Sequence, residues 1–377
     1  GEMQSCYPGP AGTEGVGICV AGTQMCLPNG TGFGACEKAF VPRFDDCSSV
    51  EDEDCDGTAI SACKGTAERV FPISASTSED IVFGVSARNG RVAATGVING
   101  SGVRNHYSEF DFGDMFVGVW NPDGTEVWSH VFTCGLFAAG RSVALFDDGS
   151  LVVVGEYIGT VTDEQSNEIL PFSNGIDAFA IRFDKQGNIL WKERSAGASD
   201  QKARGVAISS KNEIYVTGDF NGDTTFGCNT LAATFSTGHD IFLAKLDEMG
   251  KCVWNYRWGD VQEQSARSVA VAPNGEIVIG GSFEAGLTIG NVSLSSAGGM
   301  DAFLARFDIN GQVISAKRYG DGSDQFGWGV ATGPRGEAAL TGFFDGAIDF
   351  GGGNLPNGGG TDMYLAVFEA NGVARHD

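Results

Sequence analysis

From residue 67 to the C-terminus, apolar and polar positions change over in short bursts with the period of a β-strand. No stretch has the period of an amphipathic helix. One unit shows the pattern plainly. Its short bursts are Ser268–Ala272, Glu276–Gly281, Asp301–Phe307 and Gln312–Tyr319. Pro273-Asn274-Gly275 separates the first two and Ile309-Asn310-Gly311 the last two. Both are Gly/Asn turns of the kind that joins adjacent antiparallel strands.

The unit recurs. An aspartate opening a D-x-F-like run falls at Asp114, Asp177, Asp240, Asp301 and Asp362, a nearly constant spacing. A turn glycine keeps the same spacing at Gly124, Gly187, Gly250, Gly311 and Gly372. Val85, Val143, Val206, Val269 and Val330 mark a first strand in each copy, and Gly96, Gly155, Gly218, Gly281 and Gly342 a second. Five copies of four short strands fit propeller blades better than solenoid rungs. The predicted fold is all-β: a five-bladed β-propeller of four-stranded blades over 67–377, preceded by a small disulfide-rich, largely irregular module over 1–66. The fifth copy stops early in its fourth strand, so the strand-like segment 68–73 is expected to close the last blade and hide two open edges.

The first strands should line the propeller axis, and they carry small apolar residues with no carboxylate or histidine. A glycosidase needs carboxylates converging there, so that type of enzyme is disfavoured. The residue before each first strand is more distinctive: Phe83, Arg141, Arg204, Arg267 and Trp328. Three guanidinium groups and two aromatics round one mouth suit an anionic glycan or a small acid. The plainer alternative is that each arginine pairs with a repeated D-x-F aspartate. That aspartate itself reads as structural, holding the loop before its strand. Trp128, Trp191 and Trp254 read as packing between blades.

Composition sharpens the picture. The 377 residues carry a formal charge of −24, which disfavours nucleic acid and anionic membranes as partners. No apolar run is long enough to span a bilayer, and the chain is expected to be secreted after removal of a signal peptide. Seven of the ten cysteines lie between Cys6 and Cys63, a density typical of disulfide frameworks in oxidising compartments. There is no C-x2-C pair, which argues against zinc. Five Asp and two Glu fall between Asp45 and Asp56. Asp52-x-Asp54-x-Asp56-Gly57 reproduces the first half of a calcium loop, with Cys63 where an EF-hand would place its bidentate Glu. The expected calcium ligands are Asp45, Asp46, Asp52, Asp54 and Asp56. The alternative is a solvated acidic loop.

The run Cys6-Tyr7-Pro8-Gly9-Pro10 through Cys19, followed by Cys26 and Gly34-Ala35-Cys36, resembles a Cys-rich module of secreted myxobacterial-type proteins. Asp54-Cys55-Asp56-Gly57 is similar to the metal-binding motif of the MopE-like proteins. The copies themselves, in segments such as Asn212–Gly218 and Gly299–Asp308, resemble the bacterial SBBP-type β-propeller repeat. These resemblances imply the fold and secretion; they imply no defined activity.

Together these observations predict a secreted or cell-surface, non-enzymatic binding and scaffolding protein stabilised by calcium. Its partners would be other surface proteins, copies of itself, or an anionic glycan bound in a lectin-like way. The alternative is an extracellular hydrolase or lyase acting on polysaccharide, with its site in loops such as the Gly159–Gly175 insertion that carries Asp163, Glu164 and Glu168.

Overall fold

The computed structural model describes residues 3–9, 12–27, 32–41, 52, 79–100, 113–195, 197, 199–226, 228–233 and 238–375. Two compact units are present, Gly1–Val70 and Phe71–Asp377. The segment 68–73, expected to close the last blade, lies outside the described residues.

The first unit holds an antiparallel hairpin of Met3–Cys6 and Gly22–Met25, with Met3 opposite Met25 and Cys6 opposite Gly22. The hairpin is a short regular element in a module expected to be largely irregular; strands this short show too little alternation to be read from sequence. A disulfide between Cys6 and Cys36 ties the hairpin to the following segment, which also bridges Thr23 to Glu37. Cys19 is buried and disulfide-bonded too. Such a unit is too small for apolar burial alone to hold it.

The second unit is all-β and repeats an antiparallel sheet. Sheet 1 comprises Glu79–Arg88, Arg91–Gly100, Asp114–Trp120 and Glu126–Cys134. Sheet 2 comprises Phe137–Leu145, Leu151–Thr162, Glu168–Phe183 and Ile189–Arg194, and is joined to sheet 1 where Cys134 pairs with Val161. Sheet 3 comprises Gln201–Ile208, Ile214–Phe220, Asp240–Leu246 and Cys252–Trp258. Sheet 4 comprises Gln264–Val271, Ile277–Phe283, Asp301–Phe307 and Val313–Tyr319, with an extra hairpin of Gly286–Ile289 and Val292–Ser295. Sheet 5 has three strands, Gln325–Thr332, Ala338–Phe344 and Asp362–Phe368, beyond which Phe368 bridges Ala374.

The sheets pack in chain order, and the third strands show why. Phe242, Ala244 and Leu246 of sheet 3 join the cluster shared with sheet 2, while Ile241 and Leu243 join the one shared with sheet 4. A strand buried on both faces reads as an unbroken apolar run, as Ile241–Ala244 does. Each such Phe or Leu contributes roughly 1.5–3 kcal/mol by leaving water.

Polar side chains reinforce these junctions. Arg306 of sheet 4 pairs with Glu276 at 2.8 Å and donates to the Glu369 and Ala370 carbonyls of sheet 5 at 3.2 and 3.3 Å. Arg182 reaches the Glu248 carbonyl of sheet 3 in the same way. The expected role of the outer-strand aromatics is seen here: Trp191 donates to the Glu248 carbonyl at 2.9 Å. A Cβ added to Gly250 would lie 2.7 Å from the Trp191 ring, so this turn glycine serves packing as well as its φ of 77°.

Among the described residues, no sheet covers the first strand of sheet 1 or the third strand of sheet 5. Val143, Val206 and Val269 each face the preceding sheet and are 4%, 6% and 6% exposed, whereas Val85 of sheet 1 is 71% exposed. On sheet 5, Met363 and Leu365 are 89% and 65% exposed, although their counterparts Ile241 and Leu243 are fully buried.

Candidate functional site

The five residues singled out before the first strands share one structural cause. In every sheet the pairing of first and second strands shifts register at that residue: between Val82 and Gly84, Gly140 and Ser142, Ala203 and Gly205, Ala266 and Ser268, and Gly327 and Gly329. Phe83, Arg141, Arg204, Arg267 and Trp328 are thus the extra residues of five β-bulges. A bulge leaves its residue out of the ladder and re-aims its side chain.

Among the described residues, Arg141 and Arg204 pair not with the D-x-F aspartates of the plainer alternative but with acids on the second strand. Arg141 donates from Nε and Nη2 to Glu156 Oε1 at 2.8 and 2.5 Å, while buried Glu156 Oε2 has no hydrogen bond. Arg204 donates to Asp219 from Nε, and from Nη2 at 3.4 Å. Asp219 also accepts from Ser265 Oγ of sheet 4 at 2.7 Å, which links two sheets through one carboxylate. In sheet 4 the acid's place is taken by Ser282, and the Arg267 guanidinium lies over the Trp328 ring, 4.4 Å from its centroid. Arg141 lies over the Phe83 ring at 4.3 Å. Cation–π contacts of this kind contribute about 0.5–2 kcal/mol. The row and its partners thus make contacts across three of the junctions, between sheets 1 and 2, 3 and 4, and 4 and 5.

Near Asp219, His239 Nδ1 lies 2.8 Å from Glu263 Oε2. Burial opposes charge on His239, but the Glu263 bond and the negative charges of Asp219 and Glu263 prevail and raise its pKa above the ordinary value.

The D-x-F aspartates hold backbone and a different arginine. Asp177, Asp240 and Asp301 pair with Arg194, Arg257 and Arg318 of the fourth strand at 2.7, 3.2 and 2.9 Å. Asp301 and Asp362 each also accept a loop N–H at 2.7 Å, from Ala297 and Gly358. The acidic loops act similarly. Asp321 Oδ1 accepts from buried Gln325 at 2.7 Å and Oδ2 from the Ala347 N–H at 2.8 Å. In the sheet 2 insertion, Asp163 accepts the Gln165 and Asn167 N–H groups at 2.9 and 2.8 Å, closing a turn between two lengthened strands. Glu164 lies 4.0 Å from His130 Nδ1.

Of the expected calcium ligands, Asp45, Asp46, Asp54 and Asp56 lie outside the described residues. Asp52 is buried, and its carbonyl accepts the Ile18 N–H at 3.1 Å. Among the described residues no group of three or more His, Cys, Asp or Glu is placed to hold a metal ion, and no helix is long and apolar enough to cross a membrane.

Glu156 and Asp219 are the residues that sequence reasoning missed. Each follows the marker glycine of its second strand, Gly155 and Gly218, and lies opposite the residue two before the bulge, Ala139 and Lys202, so the bulged arginine reaches it diagonally.

Fold and site together define an all-β protein of repeated antiparallel sheets, braced internally by buried ion pairs and tied to one another by apolar clusters, hydrogen bonds and cation–π contacts. No family model matches the chain. It is 28% identical over 194 residues to the regulatory protein FlaEY of Caulobacter vibrioides, a match covering 50% of this chain and 20% of that protein. It is 26% identical over 155 residues to an uncharacterized WD repeat-containing protein of Acanthamoeba polyphaga mimivirus, covering 38% of this chain and 11% of the relative. The chain thus spans a small part of both relatives.

Proposed function

We propose that the five sheets are blades of a β-propeller and that the chain is a secreted or cell-surface scaffold which binds rather than catalyses. The blade reading is supported by the four-stranded repeat, by sheets packing in chain order, and by similarity to a protein named for its WD repeats, units that build propellers. Secretion is supported by the disulfides Cys6–Cys36 and Cys228–Cys252.

One observation carries the non-enzymatic reading. The carboxylates nearest the bulge row, Glu156 and Asp219, are engaged by arginines of their own sheets. A hydrolase would instead direct a pair of carboxylates at substrate. The insertion carboxylate Asp163 is likewise occupied by its own turn. The row's paired charges rigidify the sheets that present the outer surface to partners.

The Asp-rich segment of the first unit is the calcium-binding part of this proposal. Titration of the full chain with calcium tests it. The expected result is binding that raises the unfolding temperature, with about 2.7 kcal/mol gained at calcium a hundredfold above Kd. The gain should be lost on chelation and in the variant D52N/D54N/D56N. A chain that ignores calcium and cleaves polysaccharide would overturn the reading. A glycan array with calcium present separates lectin-like binding from protein scaffolding.

A further inference from the structure

We infer that the uncovered side of sheet 5 docks the first strand of sheet 1 from a second copy of this chain, head to tail. The inference rests on reading the sheets as blades.

The four junctions already made supply the template. At each, the first-strand valine of one sheet is covered by the sheet before it, and the third strand of the earlier sheet is covered in return. Among the described residues, Val85 at one end and Met363 and Leu365 at the other lack that cover. These surfaces are therefore not satisfied by each other within one molecule.

The backbone at the open end is shaped for a neighbour. A Cβ on Gly84 would lie 2.8 Å from Ser142 Cα, and one on Gly205 3.0 Å from Ser268 Cα, because the next first strand runs alongside. Gly329 holds the equivalent place on sheet 5, yet a Cβ there would meet nothing nearer than Thr341 Oγ1 of its own sheet, at 3.0 Å. Consecutive members of the bulge row touch across junctions, Arg141 on Phe83 and Arg267 on Trp328. The two terminal members, Trp328 and Phe83, are both exposed aromatics that would meet in the docked pair. Ala94, Phe116 and Trp120 of sheet 1 are already buried, so sheet 1 offers Phe83 and Val85. Two different surfaces make a heterologous contact, which propagates into a filament or closes as a larger ring.

Sedimentation of the full chain over a range of concentrations tests this. The expected result is a mass that rises with concentration, and association weakened at least about tenfold in M363D/L365D, whose melting should match wild type because both positions face solvent. Cysteine pairs then locate the contact. A Cβ on Gly280, the equivalent of Thr341, would lie 2.5 Å from Val330 Cγ1, the equivalent of Val85. Chains carrying V85C mixed with chains carrying T341C should form disulfide-linked dimers that wild type, with its own thiols, does not. A cross-link confined within single V85C/T341C chains would overturn the inference while sustaining the blade reading. A concentration-independent monomer with no cross-link would overturn it as well.

Discussion

Arg204 and Asp219 form a buried ion pair across the first two strands of sheet 3, with side chains 8% and 3% exposed. They lie well apart in sequence, and the bulge at Arg204 brings them together. Removing one partner strands a charge away from water, so Asp219→Ala should lower stability by about 3–5 kcal/mol in urea unfolding. The double change R204M/D219L should cost far less, since replacing both charges by apolar groups is often neutral. Equal losses would show that the pair is not buried as described.

Turn glycines test the packing between sheets. Gly250 and Gly372 both have a φ of 77°, but only at Gly250 would an added Cβ meet an aromatic ring, that of Trp191. Changing either to alanine incurs the left-handed backbone cost of about 1–2 kcal/mol. Gly250→Ala should add about 1–3 kcal/mol of overpacking. Thermal melts of the two variants, compared side by side, read the difference.

The disulfide Cys228–Cys252 links the loop before the third strand of sheet 3 to the start of its fourth strand. The C228S/C252S variant should lose about 2–4 kcal/mol, and reductant should weaken wild type while leaving that variant less affected. Chemical unfolding with and without reductant measures both.

Two groups set opposite pH dependences. His239 has a raised pKa in the folded state. Its contribution is therefore complete below the unfolded histidine value of about 6.5 and is lost as pH rises through the higher folded value. For Asp321, burial pushes the pKa up, but the Ser323 and Ala347 N–H groups and Gln325 hold it below the ordinary carboxylate value. Its contribution is complete above the unfolded value, about 3.9, and is lost as pH falls through the lower folded one. Melting temperature against pH should flatten on the alkaline side in His239→Gln and on the acid side in Asp321→Asn. Both groups face water in part, so each effect should be small.

Much of the fold was legible in local pattern. The nearly constant spacing from Asp114 to Asp362, the Asn-Gly and Asp-Gly turns and the apolar third strands follow from φ preferences and from burial on two faces, properties held within a few consecutive positions. The row Phe83, Arg141, Arg204, Arg267 and Trp328 was visible as a repeated position, and so were the outer tryptophans.

What the tertiary structure alone decided is the use of that row and the state of its two ends. Arg204 meets Asp219, and Asp240 meets Arg257, because strand register and a bulge place them together; charge spacing along the chain allows either pairing. Val85 and Val143 sit in comparable stretches of small and apolar residues, Gly-Val-Ser-Ala and Ser-Val-Ala-Leu. One is exposed and the other buried because burial depends on whether a sheet stands in front of the valine, a long-range fact that no local pattern encodes.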